Sequence, residues 1–130
     1  MLDIETIVYS RIKAILTKKL KTKYPNISFT TSDKVSGNPQ FPNVYVHMMS
    51  SQEIGGDLEG NTINGVLASF QIETTDNETQ TRAKDVMNNV VEVMKSMRFE
   101  VTSMPESMNT NTSYRCVARF RRTIGKLDKL

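Results

Sequence analysis

Between Ile4 and Tyr24 the apolar residues Ile4, Val8, Ile12, Ile15, Leu16 and Leu20 return every three or four positions. That spacing keeps one stripe of a 3.6-residue helix turned to a core. Asp3 is placed to cap the first turn, and Pro25 stops the helix by pushing Tyr24 out of the α region. A second stripe, Ala83, Val86, Met87, Val90, Met94 and Met97, predicts a helix that starts from an Asn77 cap, with Gln80 in capping-box position.

The remaining segments alternate with a period of two. Ile27 to Thr30 predicts a short strand, Asn43 to Ser50 a second, and Asn64 to Thr74 a third, with Val66, Ala68, Phe70 and Ile72 on one face. Ser32 to Pro42, with Gly37, Pro39 and Pro42, predicts a loop. Ser51 to Asn64, with Gly55, Gly56 and Gly60, predicts a long hairpin loop. Arg98 to Ser103 predicts a fourth strand, Pro105 to Asn111 a loop and Tyr114 to Ile124 a last strand. On that last strand Tyr114, Cys116, Ala118 and Phe120 share one face and Arg115, Arg119 and Arg121 the other. Residues 125–130 are expected to form a flexible tail.

The order α-β-β-β-α-β-β lacks regular βαβ alternation. It therefore predicts an α+β fold with a mostly antiparallel or mixed sheet of about four to five strands and both helices packed on one face. A chain of 130 residues is the length of one domain, so 1–130 is expected to form a single core. Apolar residues make up 38% and charged residues 24%, which excludes the charge-rich, apolar-poor composition of disordered chains. No run approaches the roughly 18 apolar residues of a membrane-spanning helix, and Met1 to Glu5 shows no basic-then-apolar leader. No membrane partner is expected.

Candidate chemistry is sparse. His47 is the only histidine and Cys116 the only cysteine, so an intramolecular disulfide is impossible and any imidazole chemistry must use one residue. Cys116 sits mid-strand on the apolar face, where a thiol is neither accessible nor activated. Glu53, Asp57 and Glu59 lie in the glycine-bearing loop, at a spacing that matches no calcium loop. Gly55, Gly56 and Gly60 precede no Lys-Ser/Thr pair, so they make no phosphate cradle. No enzyme activity and no cofactor or metal are expected.

Net charge is +3, and its placement says more than its size. Lys18, Lys19, Lys21 and Lys23 crowd the end of the first helix, where they complement the helix dipole. Arg115, Arg119, Arg121 and Arg122 form a ladder on the last strand that suits phosphates, carboxylates of a neighbouring protein, or solvent. Tyr114 and Phe120 fall on the opposite face from the arginines, which disfavours base stacking. Met48, Met49, Met104 and Met108 have no evident core position and suit a packed subunit contact.

Several segments together resemble one family. They are Phe41-Pro42-Asn43-Val44-Tyr45-Val46, then Ala68-Ser69-Phe70-Gln71-Ile72-Glu73-Thr74, a helix with Arg82-Ala83-Lys84-Asp85-Val86, and Tyr114-Arg115-Cys116-Val117-Ala118-Arg119-Phe120-Arg121. In order and spacing, from about Ile4 to Thr123, the chain resembles the tail terminator, or tail completion, proteins of long-tailed bacteriophages. The resemblance implies a non-enzymatic virion subunit of the tail and neck region, assembled in the cytoplasm of a bacterial host. Its partners would be itself in a closed ring, usually hexameric, the tail tube protein and a head-completion or connector protein, with DNA passing through the lumen without sequence-specific contacts. Glu53, Asp57, Glu59, Arg115, Arg119 and Arg121 are then the candidate interface residues. Two other readings stay open: a head–tail connector ring of the same particle, and a small nucleic-acid-binding module.

Overall fold

The computed structural model describes residues 4–31, 40–54, 65–107, 109 and 113–125, with the side chains of 50–54 and 104 outside that description. Seven elements follow in the expected order: α1 (Ile4–Leu20), β1 (Ser28–Thr31), β2 (Asn43–Ile54), β3 (Gly65–Asp76), α2 (Gln80–Ser96), β4 (Glu100–Ser107) and β5 (Tyr114–Gly125). The strands form one five-stranded sheet ordered β1-β2-β3-β5-β4. β1 pairs parallel with β2 and every other pair is antiparallel, so the sheet is mixed. Both helices cover one face: α1 packs on α2 and β2, and α2 on β3, β4 and β5. The expected fold class is the observed one.

The core lies between that face and the helices. Val8, Ile12 and Leu16 of α1 meet Val86, Met87, Val90 and Met94 of α2, over Val44, Val46, Ala68, Phe70, Ile72, Ala118 and Phe120 of the sheet. Phe70 and Phe99 meet edge to face at 5.5 Å. Gly65 permits the close approach of β5, because a Cβ there would stand 2.9 Å from the Ile124 carbonyl oxygen.

Four details differ from the sequence reading. α1 ends at Leu20, although Tyr24 N–H still donates to the Leu20 carbonyl at 2.7 Å and extends the turn toward Pro25. α2 is capped by Thr79 and not by Asn77: the Thr79 hydroxyl accepts from Arg82 N–H, and buried Asp76 Oδ2 accepts from Glu78 and Thr79 N–H at 2.9 Å each. The carboxylate at the end of β3 thus sets the turn into the helix. β4 runs on to Ser107 through Pro105, where a loop was expected. As the sheet's edge strand it tolerates the missing N–H. β2 runs on to Ile54 past a bulge between Met48 and Ser50, so the first residues of the predicted hairpin loop are paired strand. Asp3, residues 32–39 and 55–64, and the expected tail at 126–130 lie outside the described residues.

α2 ends in a Schellman motif: Phe99 N–H donates to the Met94 carbonyl, Arg98 N–H donates to Lys95, and Arg98 adopts φ 66°. Among the described residues no helix is long and apolar enough to cross a membrane.

Candidate assembly surface

The sheet face away from the helices is built from alternate residues of the same strands that build the core. Register sets it out in rows across the sheet: Tyr45, Glu73, Val117 and Glu106, then His47, Gln71, Arg119 and Ser103, then Ser69, Arg121 and Glu100. Leu67, Ser69, Gln71, Glu73 and Thr75 of β3 are half-buried between flanking strands, while Arg119 and Arg121 are exposed. Tyr45 and His47 meet edge to face at 6.0 Å on this surface.

The arginine ladder occupies this face as expected, and each member meets a polar group of its own chain. Arg119 Nε donates to Gln71 Oε1 at 3.1 Å, directly across the β3–β5 ladder. Arg115 Nη1 lies 3.6 Å from Glu73 Oε1, and Arg121 Nε lies 3.8 Å from Glu100 Oε2. Among the described residues, three guanidinium groups share this face with Glu73, Glu100 and Glu106, which balances their charge. Such cross-strand pairs stabilise a sheet by fractions of a kcal/mol each.

Arg122 leaves the ladder. The period of two turns it inward, where it is buried and its Nη1 donates to the Met97 carbonyl at 3.1 Å. A guanidinium at the end of α2 satisfies an orphan carbonyl and opposes the negative pole of the helix. Its neighbours Arg119 and Arg121 gave the sequence a run of like charges that concealed this difference.

On the covered side the two helices are joined at their polar ends. Lys23 Nζ and Tyr24 Oη donate to Asp85 Oδ2 at 2.9 and 2.7 Å, and Lys19 Nζ donates to Glu92 Oε2 at 2.8 Å. Arg82 stacks over the Tyr24 ring at 5.2 Å, bonds Glu78 and lies 3.5 Å from Asp76 Oδ1. The hydrogen bond from Lys23, then that from Tyr24, holds the Asp85 carboxyl below its usual range. Burial raises the Tyr24 hydroxyl, with the Asp85 hydrogen bond acting in the same direction. A cleft of about 860 Å³ lies here between Tyr24 and Asn88. Across it Lys23 is paired with Asp85 and Arg82 with Glu78, which is the pattern of a seam between helices. No sequence signal short of the fold pairs residues 61 positions apart, as Tyr24 and Asp85 are.

Cys116 is buried under the helices and burial pushes its thiol up, away from nucleophilic use. Among the described residues no three His, Cys, Asp or Glu side chains converge on a metal position. Glu53 stands in β2 in register with Val66, whereas Asp57 and Glu59 lie outside the described residues. Arg115, Arg119 and Arg121 are brought onto one face.

No protein-family profile and no curated protein matches the chain. Solved structures share its fold. A chain from the virion of a native gene transfer agent particle superposes with a TM-score of 0.58 at 15% identity, over 91% of this chain and 91% of that one. A second solved chain superposes with a TM-score of 0.53 at 9% identity, over 95% of this chain and 97% of that one. At such identities the likeness establishes a shared fold spanning nearly the whole of each chain.

Proposed function

We propose that this chain is a structural virion protein, and specifically the ring-forming tail terminator that caps the head-proximal end of a phage tail tube. The observation that carries this most is the fold likeness to a chain of a virion particle, over nine-tenths of both chains. The Phe41–Val46, Ala68–Thr74 and Tyr114–Arg121 segments, which resemble tail terminators, supply the finer assignment. They form β2, β3 and β5, the continuous centre of the sheet.

The physical role follows from shape and surface. A ring is made by a heterologous contact, one patch of a subunit against a different patch of the next, repeated until it closes. The ring stops tube growth by covering the last tube subunits and offers its other side to a head-completion or connector protein. The charge-balanced open face suits contact with, or passage of, a polyanion without retention, since affinity for DNA grows with the number of unneutralised cations presented.

The test is to mix the purified protein with polymerising tail tube protein and follow mass by light scattering and tube ends by electron microscopy. Rings at one end of tubes of limited length are the expected result. Binding to portal rings with no effect on tubes assigns the connector role instead. Tight, salt-sensitive binding to DNA without either assembly favours a nucleic-acid-binding module.

A further inference from the structure

The two helices turn acids toward their shared seam and spare cations outward. On α2, Asp85 and Glu92 meet α1 and are bound to Lys23 and Lys19, while Thr81, Lys84, Asn88 and Lys95 are exposed. On α1 the side away from the core carries Ser10, Lys13, Lys18 and then Lys21, all exposed. Lys13, Lys18, Lys21, Lys84 and Lys95 have no acidic partner among the described residues. Residues 4–24 and 78–98, which hold the helices and their ends, carry ten Lys and Arg against four Asp and Glu, a formal charge of +6 in a chain whose total is +3. The positive excess of the molecule is thus carried by the helix layer, across the sheet from Arg115, Arg119 and Arg121.

What such a surface binds follows from what accompanies the lysines. A protein interface is centred on apolar or aromatic anchors and is depleted in lysine. The helix layer offers no such anchor: among the described residues the one exposed large apolar side chain is Met49, on β2. Phosphate oxygens are instead met by Lys together with Ser, Thr and Asn, which is the composition here. Tyr9 and Tyr24, the aromatic residues of this layer, are buried, so they present no ring to stack on an unpaired base. Lys13 and Lys21 stand about 12 Å apart along α1, and Lys84 and Lys95 about 16 Å apart along α2. Packed helix axes lie roughly 8–10 Å apart, so the five ammonium groups occupy a field of about 15–20 Å on a rigid support. A duplex presents one phosphate charge per ~1.7 Å of its axis, and several phosphates come within reach of the lysine stems at once.

We propose that the outer face of the α1–α2 pair is a sequence-independent contact surface for the phosphate backbone of duplex nucleic acid, with Lys13, Lys18, Lys21, Lys84 and Lys95 as its cations. This goes beyond the ring reading and does not rest on it. The two sides of the subunit then treat a polyanion differently. The open sheet face, whose arginines stand beside Glu73, Gln71 and Glu100, lets it pass, and the helix face holds it.

The test uses the full-length chain and a fluorophore-labelled duplex of about 30 base pairs, with binding read by anisotropy between about 50 and 200 mM salt. Circular dichroism verifies the fold of each variant. With about four phosphates neutralised, affinity is expected to fall roughly a hundredfold over that range and to be the same for a second, unrelated sequence. K13Q/K18Q/K21Q and K84Q/K95Q are each expected to weaken binding about tenfold or more at the lower salt, and to lower the salt slope by about 1 per lysine removed. Native affinity in both variants overturns the proposal, as does a native chain that leaves the duplex free at the lower salt. A larger loss in R119Q/R121Q than in either lysine variant moves the contact to the open face and overturns it as well. Unchanged duplex binding in the lysine variants with impaired assembly on tail tubes assigns the helix face to a protein partner, which also overturns it. Tube capping is read separately. A chain that binds duplex through these lysines and caps no tube supports this inference and overturns the ring reading, and a chain that caps tubes without binding duplex does the reverse.

Discussion

The two faces of the sheet are made from alternate residues of the same strands, yet they are held by different physics. On the covered face Phe70 and Phe120 pair directly across β3 and β5 and are wholly buried. One position along, Gln71 and Arg119 pair on the open face, and Arg119 is in water. Stability is concentrated on the first face and the second is left for recognition. Truncating each face in turn sharpens this difference most. Phe120→Ala is expected to cost about 3–5 kcal/mol, because a buried ring is lost and the rigid helix layer closes poorly over the cavity. Urea unfolding of the variant measures it. A cost under about 1.5 kcal/mol means that the helices do not pack on β5 as described.

Polar groups on the covered side should behave differently from polar groups on the open side. Asp76 has no exposed surface, accepts from Glu78 and Thr79 N–H and faces Arg82. Asp76→Ala strips the Glu78 and Thr79 N–H groups of their acceptor at the entry to α2 and is expected to cost about 1–2 kcal/mol, read in the same unfolding experiment. A near-neutral outcome would show that the turn into α2 is set by Thr79 alone.

Much of this was legible in the chain. The apolar stripes of α1 and α2 and the alternation on β3 and β5 give element order, fold class and the facing of Cys116 and Phe120 from periodicity alone. Boundaries were lost where tertiary context decided them. Pro105 reads as loop unless the strand is known to be an edge, and Asn77 is as good a cap as Thr79 until Asp76 is seen turned inward. Of the candidate interface, the shared face of Arg115, Arg119 and Arg121 was legible, but their partners were not. Glu73, Gln71 and Glu100 become neighbours only through strand pairing. The lysines at the end of the first helix read as dipole complements, and only the helix pairing separates Lys19 and Lys23, which are bound to Glu92 and Asp85, from Lys18 and Lys21.

The helix seam supplies a smaller, pH-dependent effect on the covered side. The folded-state pKa of Asp85 is depressed by Lys23 and Tyr24. Its contribution to stability is therefore present above the unfolded value, 3.8, and is lost as pH falls through the folded value. Asp85→Asn is expected to flatten the acid limb of the stability curve below about pH 4 and to leave the slope above pH 6 unchanged. With the side chain 31% exposed, the cost at neutral pH should stay under about 1 kcal/mol. A variant whose acid limb matches that of the native chain would place the acid sensitivity elsewhere.

The smallest effect belongs to the open face, and there smallness is the informative outcome. Arg119 donates to Gln71 with its guanidinium in solvent, so Arg119→Ala exchanges one protein hydrogen bond for hydrogen bonds to water. It should move the stability of the dissociated chain by no more than about 0.5 kcal/mol. A loss as large as that of Asp76→Ala would mean that this face is dry in the free protein and packed against something, which the balanced, half-exposed rows do not predict. If the loss is small in the dissociated chain but assembly on tubes is impaired, the open face takes part in the ring. If both are unchanged, the face is left to line an opening through which a polyanion passes. Holding one donor of Arg119 within its own subunit suits such a lining, because an arginine already bonded to Gln71 has fewer donors to offer a passing phosphate.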